Sequence, residues 1–226
     1  LRFINDSNNS SVWPIAISFI LLALILGNGI IKSIKNCLLK NNYFFLFGSF
    51  FAALGIGLYS ESLLRGEIAK VVVLFYLAPI WGTIFARYIL KESFGINRIL
   101  SIILGLIGLE IILGVEKGIL FPSSLVEWIA ILAGVCWSLG TTFFHLAKTT
   151  NSSEKTALTG LMVGILFLFF CLIPGGRTLE LPPSVINLNL DTMYFWIILF
   201  SIFWLLPSIF LTYLSVEILD PGRINI

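Results

Sequence analysis

The sequence is short of charged residues, of cysteine and of histidine. Only 12% of its 226 residues are charged, whereas 58% are hydrophobic, and soluble domains carry about one quarter charged residues. A water-soluble fold cannot bury so much apolar surface. The chain is therefore expected in a lipid bilayer, where each spanning helix needs about 20 apolar residues.

The low counts of cysteine and histidine exclude several kinds of chemistry. The chain has three cysteines that lie far apart, Cys37, Cys136 and Cys171, and one histidine, His145. This spacing indicates no disulfide framework, and neither HExxH nor GxSxG nor a pair of aspartates occurs inside an apolar run. We therefore predict no metal, no cofactor and no enzymatic activity.

Seven runs are long and apolar enough to cross a bilayer. They are residues 13–31, 43–64, 69–90, 99–115, 125–147, 156–174 and 194–218. Because these runs are apolar on every side, they favour helices over the alternating strands of a membrane barrel. The predicted fold class is an all-α, polytopic transmembrane helical bundle.

The positions of Lys and Arg between the runs predict the orientation of the bundle and exclude one class of partner. Cations gather on the cytoplasmic side of a membrane protein. One side carries Lys32, Lys35, Lys40, Arg87, Lys91, Arg98, Lys148, Lys155 and Arg223, and the other carries Arg2, Arg65, Lys70, Lys117 and Arg177. The first side is therefore predicted to be cytoplasmic. These short clusters cannot follow a phosphate backbone, so no nucleic-acid partner is expected.

Both ends of the sequence look interrupted. The chain begins with Leu1, and no basic segment with a cleavage site precedes the first apolar run. Near the other end, Asp220-Pro221-Gly222-Arg223 is typical of the first turn of a further span. We expect the natural protein to contain additional helices.

Three stretches carry a family resemblance. The first is FYLAPIW at 75–81, followed by Lys91-Glu92 at the end of the run; the second is 96–114, with Gly105, Gly108 and Gly114. The third is 128–148, with Cys136-Trp137-Ser138. In this order and spacing they resemble the EamA-type family of the drug/metabolite transporter superfamily.

The resemblance implies a bundle of ten helices in two inverted five-helix repeats, an arrangement common in secondary transporters. The seven runs resemble helices two to eight, followed by the start of helix nine. Residues 1–117 would form a first repeat without its first helix, and residues 118–226 a second repeat without most of its last two helices. The implied protein moves a small metabolite or amphipathic compound across the cytoplasmic (inner) membrane by alternating access.

Transporter sites lie where kinked helices expose backbone groups near the middle of the membrane. Two prolines, Pro79 and Pro207, lie in the middle of apolar runs, and each deprives a carbonyl four residues earlier of its donor. Candidates for the substrate pathway are these prolines and the polar or aromatic residues around them, with one further tryptophan: Tyr76, Pro79, Trp81, Trp137, Pro207, Ser208, Thr212 and Tyr213. A kink that serves only helix packing is the alternative interpretation.

Ionisable residues inside apolar runs are costly and need a partner, a cavity or a function. Glu61 and Glu110 both lie toward the outer ends of their runs, and we predict that either carboxyl could carry a coupling proton. The alternative is that both side chains reach the outer headgroups. His145 lies three residues before Lys148 and is expected at the cytoplasmic interface.

Three classes of function are compatible with the sequence. The leading hypothesis is a carrier, with a small-molecule substrate and the lipid bilayer as partners; a homodimer is compatible with it. An intramembrane enzyme is the first alternative, and a membrane scaffold that transports nothing is the second. An enzyme would need a nucleophile, a metal or a paired acid and base at one depth, and a scaffold would need neither inverted repeats nor prolines in the middle of a span.

Overall fold

The structure is a computed structural model that describes residues 13–27, 31–32, 34–35, 43–92, 96–113, 122, 124–147, 150–172, 195 and 198–218. Every regular element among them is helical, which confirms the predicted all-α class. The helices are α1 (Trp13–Ile25), α2 (Tyr43–Arg65), α3 (Ile68–Phe75), α4 (Ala78–Ile89), α5 (Ile96–Leu113), α6 (Leu125–Leu146), α7 (Ser152–Leu172), a π-helical segment (Ser201–Leu205) and α8 (Leu206–Ile218).

Five helical stretches in the described part of the chain are long and apolar enough to cross a membrane. They are Tyr43–Arg65, Ile68–Ile89, Leu125–Leu146, Ser152–Phe169 and Ile198–Glu217. The other two predicted spans coincide with α1 and α5, whose described apolar stretches are shorter. The chain is therefore a multi-pass integral membrane protein.

Helix α7 begins earlier than its apolar run predicts. The run starts at Thr156, whereas the helix starts at Ser152 and its first turn includes Glu154. Asn151 accepts the first backbone bond, from Lys155 N–H at 3.0 Å, and asparagine is a preferred residue just before a helix. The polar first turn lowers local hydropathy without ending the helix.

The described helices form two compact units. Residues 1–42 and 150–214 belong to one, which we call the α1–α7 unit; residues 43–149 and 215–226 belong to the other, the α2–α6 unit. In the α1–α7 unit, α1 packs closely against α7 at Gly160. A Cβ added there would lie 2.5 Å from Leu22 Cδ2 and 3.3 Å from the carbonyl oxygen of Phe19, so a larger residue would require Leu22 to move.

Small residues also bring α2 and α6 together in the α2–α6 unit. A Cβ added at Gly55 would lie 2.7 Å from the main-chain nitrogen of Trp137, and one at Gly140 would lie 2.6 Å from that of Ala52. Glycines that let two backbones approach are a common basis of helix association in membranes. Helices α3 and α4 pack against α6 as well, so α6 is the central helix of this unit.

An ion pair joins the beginning of α3 to the beginning of α6. Lys70 Nζ lies 2.9 Å from Glu127 Oε1. Ser124 caps α6 by accepting a bond from Glu127 N–H at 3.4 Å. The starts of α3 and α6 therefore lie at one end of the unit, as expected for helices separated by an even number of membrane crossings.

Parts of the sequence-based description lie outside the described residues. Six of the cations from which the orientation is predicted lie outside the described residues: Arg2, Lys40, Lys117, Lys148, Arg177 and Arg223. Cys37 and the turn at 220–223 also lie outside them. The orientation and the division into repeats at residues 117 and 118 stay predictions.

Candidate functional site

The span of residues 68–89 is interrupted near its middle. Helix α3 ends at Phe75 and α4 begins at Ala78. Across the break, Tyr76 N–H donates to Val72 O at 2.9 Å and Leu77 N–H donates to Leu74 O at 3.3 Å, so the bonding interval shortens from four residues to three. Proline has no N–H and its ring crowds the preceding turn. Pro79 accounts for the break.

Helix α6 contributes both space and a hydrogen bond at this break. Pro79 cannot donate to the carbonyl of Phe75, and that carbonyl oxygen lies 3.0 Å from where a Cβ on Gly134 would be. One turn further along α6, Ser138 Oγ donates to the carbonyl oxygen of Ala78 at 2.7 Å. The backbone around the break is thus held against α6.

Several buried polar atoms of the α2–α6 unit lack a partner. Within the described residues, Trp81 Nε1, Thr83 Oγ1 and Ser49 Oγ make no hydrogen bond. Leaving a buried donor or acceptor unsatisfied costs about 1–3 kcal/mol. Since such groups are rare, each one calls for a water, a ligand or a functional explanation. Trp81 and Thr83 both lie in the first half of α4.

Aromatic rings surround the same break. The ring of Phe75 lies 4.2 Å from that of Tyr59 and 6.3 Å from that of Tyr76, measured between centroids. Tyr76 is 53% exposed, while Trp137 is half-buried in α6. The structure thus places four of the predicted residues, Tyr76, Pro79, Trp81 and Trp137, in the α2–α6 unit.

The other four predicted pathway residues lie in the α1–α7 unit. Pro207 follows the π-helical segment Ser201–Leu205, where Leu206 N–H donates to Ser201 O, five residues back. Single π-helical turns occur frequently at functional sites. Both prolines predicted to disturb a helix therefore lie beside an irregular turn.

The side chains after Pro207 have different surroundings. Ser208 is exposed, and its carbonyl accepts a bond from Thr212 Oγ1 at 2.8 Å. Tyr213 is fully buried and its hydroxyl donates to Thr159 Oγ1 at 3.2 Å. Tyr213 thus joins α8 to α7 within the α1–α7 unit.

The structure describes the surroundings of Glu61 and His145, but not those of Glu110. Glu61 Oε1 lies 2.5 Å from Arg65 Nε, one turn along its own helix. Glu110 lies in α5, and its side chain is outside the described part of the structure. His145 is half-buried, with Nδ1 3.4 Å from the carbonyl oxygen of Val216. The proposed roles of the two glutamates in proton coupling stay predictions.

Sequence reasoning missed three residues that the structure makes prominent. Thr83 and Ser138 are polar residues inside apolar spans. Their polarity in an apolar segment is the feature of the sequence that could have identified them. Glu154 lies before the apolar run that is predicted to begin at Thr156, yet it is inside α7 and is 5% exposed. The polar turn after Asn151 was the signal for an earlier helix start.

The apolar helices, one of them interrupted, define a polytopic α-helical membrane protein. The sequence profile of the EamA-like transporter family matches residues 6–114. The match confirms the resemblance of this part of the chain to EamA-type drug/metabolite transporters. The match includes the break at Pro79. The comparison with curated proteins found no match.

Proposed function

We propose that the protein is a secondary transporter that carries a small metabolite or an amphipathic compound across the cytoplasmic membrane by alternating access. The observation that carries this proposal is the break between α3 and α4, with its unpaired polar atoms. Similarity of residues 6–114 to a family of transporters favours transport over an intramembrane enzyme or a passive scaffold.

The break supplies the kinds of group that recognise an uncharged part of a solute. Trp81 can donate a hydrogen bond from its indole nitrogen, and the hydroxyl of Thr83 can donate or accept. Neither atom has a partner among the described residues. A bound solute would satisfy both groups and recover the free energy lost by burying them.

The rings around the break favour a flat or amphipathic solute. Tyr76, at the break, and Trp137, on the neighbouring helix α6, each combine an apolar ring with a polar atom, so each can stack on a solute and still hydrogen-bond to it. Within the described residues the break itself, from Phe75 to Thr83, contains no charged side chain. We therefore expect a substrate with an apolar face and a small number of hydrogen-bonding groups.

The way in which helices from the two proposed repeats pack together within each unit supports inverted repeats. By the family resemblance, α1 would be the second helix of the first repeat and α7 the second helix of the other, and these two helices pack together. Equivalent helices that pack on one another are expected near a pseudo-two-fold axis in the membrane plane. Likewise α6, from the second repeat, packs on α2, α3 and α4 from the first.

Transport can be tested with the full-length protein in proteoliposomes. A panel of radiolabelled amino acids, nucleosides and aromatic cations should include one compound that enters faster than into empty vesicles. It should also exchange with unlabelled compound inside, as expected of a carrier with one alternating site. Hydrolysis of a panel compound without its movement would favour an enzyme, and binding without movement would favour a scaffold.

A further inference from the structure

Three helices of the α2–α6 unit each bury a hydroxyl group inside an apolar span. Ser49 of α2 and Thr141 of α6 are fully buried, and Thr83 of α4 is 7% exposed. Ser49 Oγ and Thr83 Oγ1 make no hydrogen bond in the described structure, whereas Thr141 Oγ1 donates within its own helix, to Ser138 O at 3.0 Å. Buried polar groups are usually hydrogen-bonded. The unpaired hydroxyl of Ser49, which lies outside the break, therefore requires an explanation of its own.

Thr141 lies on the face of α6 between α2 and α4. Helix α2 contacts α6 at Trp137 and Gly140, and the residues around the start of α4 contact it at Gly134 and Ser138. Successive residues of a helix point about 100° apart, so these two sets of positions face directions that also differ by about 100°. Thr141 points between the two directions. Its side chain lies at the floor of a groove between α2 and α4, which we call the α2/α4 groove.

Ser49 enters the same groove from α2. A Cβ on Gly48 would lie 2.7 Å from the ring of Phe144, and one on Gly140 would lie 2.6 Å from the main-chain nitrogen of Ala52. The two helices are therefore antiparallel, and Ser49 lies level with this part of α6. Gly48 faces α6, and the next residue is turned by about 100° from it. In a right-handed helix that runs opposite to α6, this turn is towards α4.

Thr83 enters the groove from α4. The pair of Lys70 and Glu127 and the bond between Ala78 and Ser138 follow one another in the same order along both segments, so α3 and α4 run parallel to α6. Thr83 lies five residues after Ala78, about 7.5 Å further along the axis. This distance brings it to the height of the other two hydroxyls. It is also turned by about 140° from Ala78, towards the side on which α2 lies.

The α2/α4 groove offers hydrogen bonds without charge. The hydroxyls of Ser49 and Thr83 can each donate and accept, while Thr141, whose hydrogen goes to Ser138 O, can only accept a further bond. Within three residues on either side of each of these hydroxyl-bearing residues, the sequence has no charged side chain. A buried ion would need a partner of opposite charge. The group that fits is uncharged and has a donor and an acceptor close together.

We propose that Ser49, Thr83 and Thr141 together bind a carboxamide or lactam group of the substrate, and that this group is attached to an aromatic ring. Trp137 lies one turn before Thr141 on the same side of α6, where its ring can stack on that of the substrate. Because the hydroxyls are covered in this structure, the amide binds when the groove opens. This inference rests on the proposed transport function and names the chemical class of its substrate.

Binding to the purified full-length protein tests this chemistry without transport. Equilibrium dialysis in detergent measures the affinity for three radiolabelled compounds of similar shape: benzamide, N,N-dimethylbenzamide and benzoate. Benzamide should bind at least tenfold more tightly than the dimethyl compound, which has no N–H to donate, and than benzoate, which is an anion. Equal affinities for the three compounds, or no saturable binding of benzamide, would overturn the proposal.

Variants locate the binding in the α2/α4 groove. Ser49→Ala and Thr141→Val should each weaken benzamide binding about fivefold or more, the effect of one lost hydrogen bond. Thr142→Val is the matched control: Thr142 is fully buried and donates to the same carbonyl, Ser138 O, at 2.8 Å, but it is turned by about 100° from Thr141, away from the groove. Detergent-induced unfolding verifies that each variant is folded. Undiminished binding in Ser49→Ala, or an equal loss in Thr142→Val, contradicts the proposal.

Transport in proteoliposomes separates this inference from the function on which it rests. Benzamide should inhibit uptake of the panel compound that moves, and Ser49→Ala should weaken that inhibition about fivefold or more. If benzamide binds in the expected pattern but no panel compound moves, the transport function fails and the amide site stands. If a panel compound moves at the wild-type rate in Ser49→Ala and benzamide does not inhibit it, the amide site fails and the transport function stands.

Discussion

Ser138 Oγ donates to the carbonyl oxygen of Ala78 at 2.7 Å, across 60 residues of sequence. The bond joins the middle of α6 to the first residue of α4, directly after the break in the span. Ser138 is fully buried. This bond holds the interrupted helix against its neighbour. Its removal therefore tests whether the attachment of the break to α6 contributes to stability.

Ser138→Ala should destabilise the protein by about 1 kcal/mol, the net contribution of a typical hydrogen bond. The measurement is unfolding of the purified protein in mixed micelles as denaturing detergent is added. Thr142→Val is the matched control, because the Thr142 hydroxyl bonds within its own helix, to Ser138 O at 2.8 Å, and the shape of the side chain is kept. Equal losses of stability in the two variants would mean that the bond between α6 and α4 stabilises the protein no more than a bond within one helix does.

Gly140→Ala should destabilise the protein more than Ser138→Ala does. The added Cβ would lie 2.6 Å from the main-chain nitrogen of Ala52, and only a shift of one helix can relieve a backbone clash. Overpacking of this kind costs about 1–3 kcal/mol.

Gly105→Ala is the control for that substitution, since a Cβ at Gly105 meets nothing within 4 Å. It should be neutral or stabilising, because alanine is a better helix former than glycine. Detergent-induced unfolding compares the two variants. If Gly140→Ala is as stable as Gly105→Ala, the close packing of α2 on α6 is wrong.

The pair of Lys70 and Glu127 should behave as a coupled unit. Its side chains are 18% and 12% exposed, so removal of one charge leaves the other poorly solvated. Lys70→Met or Glu127→Gln alone is expected to cost about 2 kcal/mol, less than the 3–5 kcal/mol typical of a fully buried pair.

The double variant should cost less than the sum of the two single variants, because the second substitution removes the unpaired charge left by the first. Unfolding free energies of all four proteins form the cycle. Additive effects would show that these charges do not interact across α3 and α6.

Most of the fold could be predicted from the sequence, for a physical reason. Backbone groups in a bilayer must bond within their own segment, so long apolar runs leave few alternatives to helices. The boundaries of α2 and α6 follow the apolar runs closely. The start of α7 was less predictable because a polar turn can still be helical when neighbouring segments bury it.

The candidate site could be predicted only in part. Pro79 marked the break, since the missing N–H is a local property of the sequence. That Trp81 Nε1 and Thr83 Oγ1 would lack partners depends on which helices lie beside them, and spacing along one helix does not contain this information. The same applies to Ser138, whose acceptor, Ala78 O, lies on another helix.

Thr83→Val tests the central claim that the break between α3 and α4 carries the substrate. The substitution keeps the shape of the side chain and removes a buried hydroxyl that has no partner in the described structure. Stability should therefore stay the same or rise by up to about 1 kcal/mol. The initial rate for the panel compound that the wild type moves should fall at least tenfold, because that compound loses a hydrogen bond.

The deciding measurement is that initial rate in proteoliposomes with equal amounts of inserted protein, for wild type, Thr83→Val and the control Thr142→Val. Our account predicts slow transport by Thr83→Val alone, at undiminished stability. A wild-type rate in Thr83→Val, or an equal loss in Thr142→Val, would contradict it.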